Sequence, residues 1–385
     1  MKAKAMQTDQ GRALRVLMVA TSYPANLNDW RGLFIRHLAD ALGRRQDLSV
    51  SLWAPPGERT PAVANASLIA ESDWLAGLMQ SGGIAHALRS NILRGGWVAL
   101  KLLRHLRHVY QRQAGRIDLL HCNWLQTMLP APRHLPVLVT VLGTDMRLLK
   151  LPLMPALLRA TMRKRPIIIC PNADWMEVPL RGLFGQVAKV QTVPFGIDAA
   201  WFNLQRRVHF SGASRWLVVS RLTRDKLGPL LEWSEPLFKN QPRELHLFGP
   251  MQEPIELPTW LHYHGPVTPA QLRETWFTQA HGLITLSRHS EGRPQVMLEA
   301  MAAGLPIVAS QLPAHADLLT HESTGLLCNS RETFAISLRR LENSDENLRI
   351  GSSARAWVRE AIGTWDDCAA RYAELYRVLI AGVQP

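Results

Sequence analysis

Short runs of leucine and β-branched residues alternate with helix-patterned segments along almost the whole chain, and they form two consecutive sets. Residues 14–20, 48–53, 117–121, 137–141, 167–170 and 189–193 read as strands of the first set. Residues 216–220, 245–249, 261–264, 282–286, 307–310 and 325–328 read as the second. Segments 32–45, 228–238, 269–278 and 296–303 between them fit helices. Such alternation calls for parallel sheets covered on both faces, because parallel strands are joined by crossovers that lie on the sheet. The expected fold is α/β with two Rossmann-like domains. The boundary is expected near 195–210, where a Gly-containing turn and a polar stretch break the alternation. Residues 55–66 are polar and Pro-rich and read as a surface loop, and a final helix is expected over 365–380, after Gly363.

A length of 385 residues suits two or three domains, and 47% hydrophobic residues is enough to fill their cores. Residues 1–13 are polar and mildly basic, unlike a signal peptide. No apolar run approaches the roughly 18 residues that span a bilayer. The four cysteines, Cys122, Cys170, Cys328 and Cys368, form no C-x-x-C pair and read as reduced structural thiols of a cytoplasmic protein. The net charge of +13 is unevenly spread. Between residues 74 and 173 stand 14 Lys and Arg against Asp118 and Asp145, a surplus of 12. A one-sided basic field points to an anionic partner, a bilayer or a nucleic acid.

The sharpest motif runs from Glu291 through Gly292, Gln295, Val296 and Glu299 to Gly304 and Pro306. A strand leads into it and a helix starts near Gln295. Eight residues of helix would separate the two carboxylates by about 12 Å. That span suits a nucleotide sugar, with one carboxylate on sugar hydroxyls and the other on ribose hydroxyls. The helix N-terminus between them offers free N–H groups to a diphosphate, and Gly292 lets backbone approach the ligand. Arg221 and Lys226 follow the strand at 216–220, where ligands bind in open α/β sheets, and can clamp two phosphates.

With these residues the chain resembles glycosyltransferase family four, retaining enzymes of the GT-B fold. Gly196-Ile197-Asp198 resembles that family's turn after the last N-domain strand. The run from Leu245 to Gly249 and Pro250 resembles its Gly-rich strand end beside the nucleotide. Residues 365–380, with Tyr372 and Tyr376, resemble its closing helix. The resemblance implies two domains facing a cleft: 1–198, completed by 365–385 crossing back, for the acceptor, and 199–364 for the donor. It implies that Arg221 and Lys226 hold the diphosphate, that Glu291 contacts the transferred sugar and Glu299 the ribose, and that the configuration is retained. No metal is expected, since Asp366 and Asp367 are not a D-x-D site.

In the first half, the stretch from Ser22 to Arg31 and Gly32 resembles the loop whose Gly lies against the donor phosphates; by itself it is equally an ordinary turn. His121 follows a strand, as the family's His-containing segment does, and reads either as an acceptor-side group or as a buried structural imidazole. In the run from Thr140 to Asp145, Leu142 stands where the family usually has His, so no imidazole role is available there. Asp145 is either a cleft-facing group or a helix N-cap. Residues 89–112 form an amphipathic pattern, with Arg94, Lys101, Arg104, His108 and Arg112 on one side and Ala99, Leu103, Leu106 and Tyr110 on another. Residues 147–165 repeat it. Both read as basic surfaces for an anionic membrane.

The expected function is transfer of a sugar from a nucleoside diphosphate sugar to a glycan or lipid-linked acceptor in cell-envelope polysaccharide synthesis, on the inner face of the cytoplasmic membrane. A nucleotide-sugar epimerase of the same fold, or a non-catalytic donor-binding protein, are the alternatives. A nucleic-acid-binding role finds no motif to support it.

Overall fold

The computed structural model describes residues 12–81, 92–163, 165–208, 210–289 and 291–382. Two parallel sheets carry the fold. The first has the order β3-β2-β1-β4-β5-β6-β7, with β1 (Leu14–Val19), β2 (Leu48–Trp53), β3 (Val63–Asn65), β4 (Leu119–Asn123), β5 (Val137–Val141), β6 (Ile167–Pro171) and β7 (Lys189–Val190). The second has the order β10-β9-β8-β11-β12-β13, with β8 (Ser214–Val219), β9 (Arg243–Phe248), β10 (His262–Tyr263), β11 (Gly282–Thr285), β12 (Ile307–Ser310) and β13 (Leu326–Cys328). The fold is α/β with two Rossmann-like domains. The segment at 55–66, expected as a loop, supplies the short edge strand β3 instead, paired from Val50–Val63 to Leu52–Asn65. Its composition hid it, because an edge strand need not be apolar throughout.

In each sheet the order reverses beside the first strand, at β1/β4 and at β8/β11. The carboxyl ends of these pairs open a crevice where loops diverge to opposite faces, the usual place for a ligand. The central strands of the first sheet are buried on both faces, as their unbroken apolar runs require. One face is covered by the helices Ile92–Gln113 and Met154–Met162, through Leu102, Leu106, Val109, Leu158 and Met162. The other is covered by Leu33–Gly43 and by the C-terminal helix Trp365–Ala381, through Ile35, Leu38, Tyr372 and Tyr376. The C-terminal helix therefore packs on the first sheet, although it follows the second in sequence. Thr364 and Asp367 close its N-terminal capping box, which uses Asp367 in a backbone role. Asp366 is paired with Arg44. The two chain crossings touch at Ile197, whose N–H donates to Gly363 O at 3.1 Å.

The basic segments are partly reassigned. The helix expected from 89 is described over Ile92–Gln113, and 89–91 lie outside the described residues. Arg112 turns inward and bonds Glu71 and Ala66 O. The 147–165 stretch is not one helix, because Leu153 adopts φ 63° between Gly143–Leu148 and Met154–Met162. There Arg159 is spent on Leu183 O and Arg165 on Ala131 O. All four cysteines are free and buried. Among the described residues no helix is long and apolar enough to cross a membrane.

Candidate active site

The C-terminal crevice gathers the charged residues. β8 ends at Val219, and Arg221 and Lys226 follow in the next loop and turn of helix. β11 ends at Thr285, and its loop carries Glu291 to the helix Gln295–Ala302. Gly249, at φ 126°, lets the ends of β8 and β9 converge, since a Cβ there would overlap Ser220 O. Lys226 Nζ pairs with Glu291 Oε1, and both side chains are largely shielded from water. Ser287 Oγ donates to the same oxygen at 3.2 Å. Burial lowers the Lys226 ammonium pKa; the Glu291 carboxylate opposes that shift and the Arg221 guanidinium adds to it. Three cation and carboxylate groups from two strand ends thus form one cluster.

Glu299 lies on the second turn of the helix, partly buried. Burial and, to a smaller extent, the nearby Asp198 raise its carboxyl to about 8. Such a group gains from ligand hydroxyls that donate to it and stabilise its charge. The rest of the run is used differently from expectation. Gln295 donates its side-chain N–H to Gly196 O at 2.9 Å, so it pins the interdomain turn, and only its backbone remains at the helix start. Val296 packs against the C-terminal core.

Across the cleft, the loop after β1 brings Trp30 over the Arg221 guanidinium, 5.7 Å from the ring centroid. Gly32 follows, buried and left-handed at φ 73°, as the N-cap of Leu33–Gly43. The Gly32 turn therefore lies on the wall opposite Arg221. Gly143 and Gly292 abut backbone to backbone, so that a Cβ on Gly143 would overlap the Glu291–Gly292 peptide. The Glu291 loop is thus seated directly on the N-terminal domain.

Two N-terminal candidates do not face the cleft. His121 is wholly buried, with Nδ1 2.6 Å from Tyr376 OH and Nε2 2.7 Å from Thr140 Oγ1. Burial drops its pKa to about 3, so it is a neutral strut between the sheet and the C-terminal helix. Asp145 accepts the N–H groups of Leu125 and Leu142, both at 2.8 Å; it is not the N-cap, which is Leu142, but closes the capping box from the third position of the helix. Leu142 packs on the core of the N-terminal domain. Sequence reading missed Arg293, Asp317, Asp174 and Trp175, which bridge the domains. The signal at hand was Arg293 itself, a cation between Gly292 and Pro294 inside the motif that begins at Glu291. Among the described residues no group of three or more His, Cys, Asp or Glu is arranged to hold a metal ion.

Two facing Rossmann-like domains, with a charged crevice in the second, define the GT-B class of fold. Residues 213–344 match the family described as glycosyl transferases group 1. A GDP-mannose-dependent alpha-(1-6)-phosphatidylinositol monomannoside mannosyltransferase of Mycobacterium tuberculosis is 32% identical over 90 residues. The match spans 23% of this chain and 23% of the length of that relative. Sucrose-phosphate synthase of Thermosynechococcus elongatus shares the fold with a TM-score of 0.72 at 15% identity, over 96% of this chain and 100% of its own. HepE of Anabaena, in complex with UDP-glucose, does so with a TM-score of 0.61 at 14% identity, over 95% and 100%.

Proposed function

We propose that the protein is a glycosyltransferase that moves a sugar from a nucleoside diphosphate sugar to an acceptor, with retention of anomeric configuration and without a divalent metal. The observation that carries the reading is the joint placement of Arg221, Lys226 and Glu291 at the ends of β8 and β11. Transfer breaks the bond between the anomeric carbon and a phosphate oxygen. Negative charge then grows on the leaving diphosphate, and fixed cations that meet it lower the barrier. Arg221, Lys226 and the N–H groups opening Gln295–Ala302 supply that field. An ammonium has three donors, so Lys226 can keep Glu291 and still reach a phosphate. Glu291, oriented by Lys226 and Ser287, holds sugar hydroxyls, while Glu299 takes the ribose hydroxyls. Closure against the Trp30 and Gly32 wall excludes the water that would hydrolyse the donor.

In this reading residues 199–364 hold the donor, and 1–198 with 365–385 hold the acceptor. The class of donor is supported by the GDP-mannose dependence of the mycobacterial relative and the UDP-glucose bound to HepE. The acceptor is a lipid-linked saccharide of envelope polysaccharide synthesis, met at the anionic cytoplasmic face of a membrane. Support for that site of action is the outer surface of the first domain. Trp97 and Leu100 are exposed there beside Lys101, Arg104 and Arg107, and Leu151, Leu153 and Leu157 are exposed beside Lys150 on the same sheet face.

The test is a screen of UDP- and GDP-sugars for release of the nucleoside diphosphate in the presence of a lipid-linked glycan extract. One donor should be consumed with a sugar-bearing lipid as product, and Glu291→Gln should abolish most of the turnover. Binding of no donor, or an epimerised donor with no transfer, would overturn the reading.

A further inference from the structure

Arg293 is almost wholly buried, yet it is not part of the charged cluster around Lys226. Its Nη2 donates to Asp317 Oδ2 at 2.6 Å and to Asp174 Oδ2 at 3.2 Å. Arg293 and Asp317 belong to the second domain, following β11 and β12; Asp174 belongs to the first, following β6. Asp317 is also the acceptor for two backbone N–H groups of the first domain, those of Asp174 and Trp175, both at 3.1 Å. Trp175 Nε1 then donates to Gly292 O at 2.9 Å. A single step of chain, Asp174-Trp175, therefore sends four hydrogen bonds across the cleft. Two of them join Gly292 and Arg293, the residues directly after Glu291, and the other two end on Asp317. A fifth contact joins Arg147 to His289 at 3.2 Å in the same loop.

The parts divide into a prepared half and an arriving half. Arg293 fixes the Asp317 carboxylate within its own domain, at side-chain exposures of 2% and 9%. A carboxylate has about four acceptor sites, so Asp317 keeps room for the amides of the other domain. Those amides reach Asp317, and the Trp175 indole reaches Gly292 O, only when the domains meet. From this division we infer that Arg293 and Asp317 are positioning residues, a latch that converts domain closure into a fixed place for the Glu291 loop. The inference rests on the transferase reading for its consequence in turnover, but the latch itself is a property of the loop.

Two variants of the full chain test it. Trp175→Phe removes the bond to Gly292 O and leaves the buried ion pair intact; Asp317→Asn keeps the shape and removes the charge. Calorimetry with UDP and GDP, amide exchange over residues 287–294, and kcat with the donor that is consumed are the readouts. Nucleotide affinity should stay within about twofold, because Arg221 and Lys226 are untouched. Exchange in the loop should rise and kcat should fall by about tenfold, the scale of a lost hydrogen bond that leaves a shielded partner unsatisfied. Loop exchange and kcat at the wild-type level in Trp175→Phe would overturn the latch, as would a loss of nucleotide affinity equal to the loss of kcat. If the wild type bound neither UDP nor GDP, the transferase reading would fail, and the exchange data would still decide the latch.

Discussion

The two domains share a strand order and a switch-point crevice, but they spend their polar residues in opposite ways. In the second, the groups at the strand ends keep capacity for a ligand: the Lys226 ammonium holds Glu291 and has further N–H donors, and Glu299 has another acid, Asp198, as its charged neighbour. In the first, the side chains of His121, Thr140 and Asp145 are already consumed. His121 joins Tyr376 and Thr140, Thr140 joins Tyr372 at 2.8 Å, and Asp145 takes two amides. A polar residue at the carboxyl end of a parallel strand is thus a ligand candidate only if the fold has left it capacity. The difference has a cause in sequence order. The first domain must bind the C-terminal helix to its sheet, and its interior polar residues do that work, whereas the second uses Asn347 and Arg206 well away from its crevice.

The contrast breaks most sharply at His121. His121→Ala should destabilise the first domain by about 3 kcal/mol, since it opens a cavity and strands the buried hydroxyl of Tyr376. It should leave the affinity for UDP or GDP unchanged. Urea unfolding with calorimetry on the same sample checks both, and weakened nucleotide binding with normal stability would return His121 to the site. Lys226→Ala should do the reverse. Nucleotide affinity should fall by about 1.5–3 kcal/mol, the range for hydrogen bonds to charged groups, with little change in unfolding. Arg221→Ala should fall in the same range.

Glu299 sharpens the contrast through pH. Its carboxyl is raised to about 8, so it is protonated in the free protein at neutral pH. Ribose hydroxyls that donate to it favour the ionised form, and binding then releases a proton. Nucleotide affinity should therefore rise with pH up to about 8, by as much as tenfold per unit, which is about 1.4 kcal/mol. Glu299→Gln should flatten that slope. Stability carries the opposite sign. A carboxyl raised in the folded state holds its proton where the unfolded chain has lost it, so stability falls as pH rises from the ordinary carboxylate range to about 8. Calorimetry between pH 6 and 9 gives the first slope, and thermal unfolding gives the second. Equal slopes in wild type and variant would remove Glu299 from the ribose.

The sequence carried the two sheets because strands buried on both faces must be apolar throughout, and it carried the double-glutamate and cation motifs because their spacing follows from one strand-loop-helix turn. It could not carry β3, an edge strand lying in a Pro-rich stretch. Nor could it distinguish a spent carboxylate from an available one at Asp145, because the amides of Leu125 and Leu142 reach it only after folding. The bridge from Arg293 to Asp174 spans 119 positions and is set by how the domains meet, which no local pattern encodes. The basic surface was overcounted for a related reason: Arg112, Arg159 and Arg165 carry charge in the sequence, yet their heads turn to internal partners.

That correction sets the smallest and most specific expectation. On the helix Ile92–Gln113, Lys101, Arg104 and Arg107 remain exposed beside Trp97, which is 74% exposed. Each cation near an anionic leaflet contributes about 1 kcal/mol, so Arg104→Gln or Arg107→Gln should weaken binding to phosphatidylserine-containing liposomes by about fivefold. Arg112→Gln should leave liposome binding almost unchanged, because its guanidinium is held by Glu71 at 3.0 Å; it should cost stability instead. Added salt should erase the first effect, since the attraction is screened over about 8 Å at physiological ionic strength. Cosedimentation at two salt concentrations, with neutral liposomes as the control, gives the measurement. If Arg104→Gln and Arg112→Gln weakened binding equally, the exposed face would not be the membrane-facing one. Equal binding to neutral liposomes would remove the electrostatic term altogether. Lys101 is a stricter probe than either arginine, because its ammonium lies 5.4 Å from the Trp74 ring centroid and is partly committed there. Lys101→Gln should therefore weaken liposome binding less than Arg104→Gln does, and a larger loss would mean that the lysine leaves the ring for the leaflet.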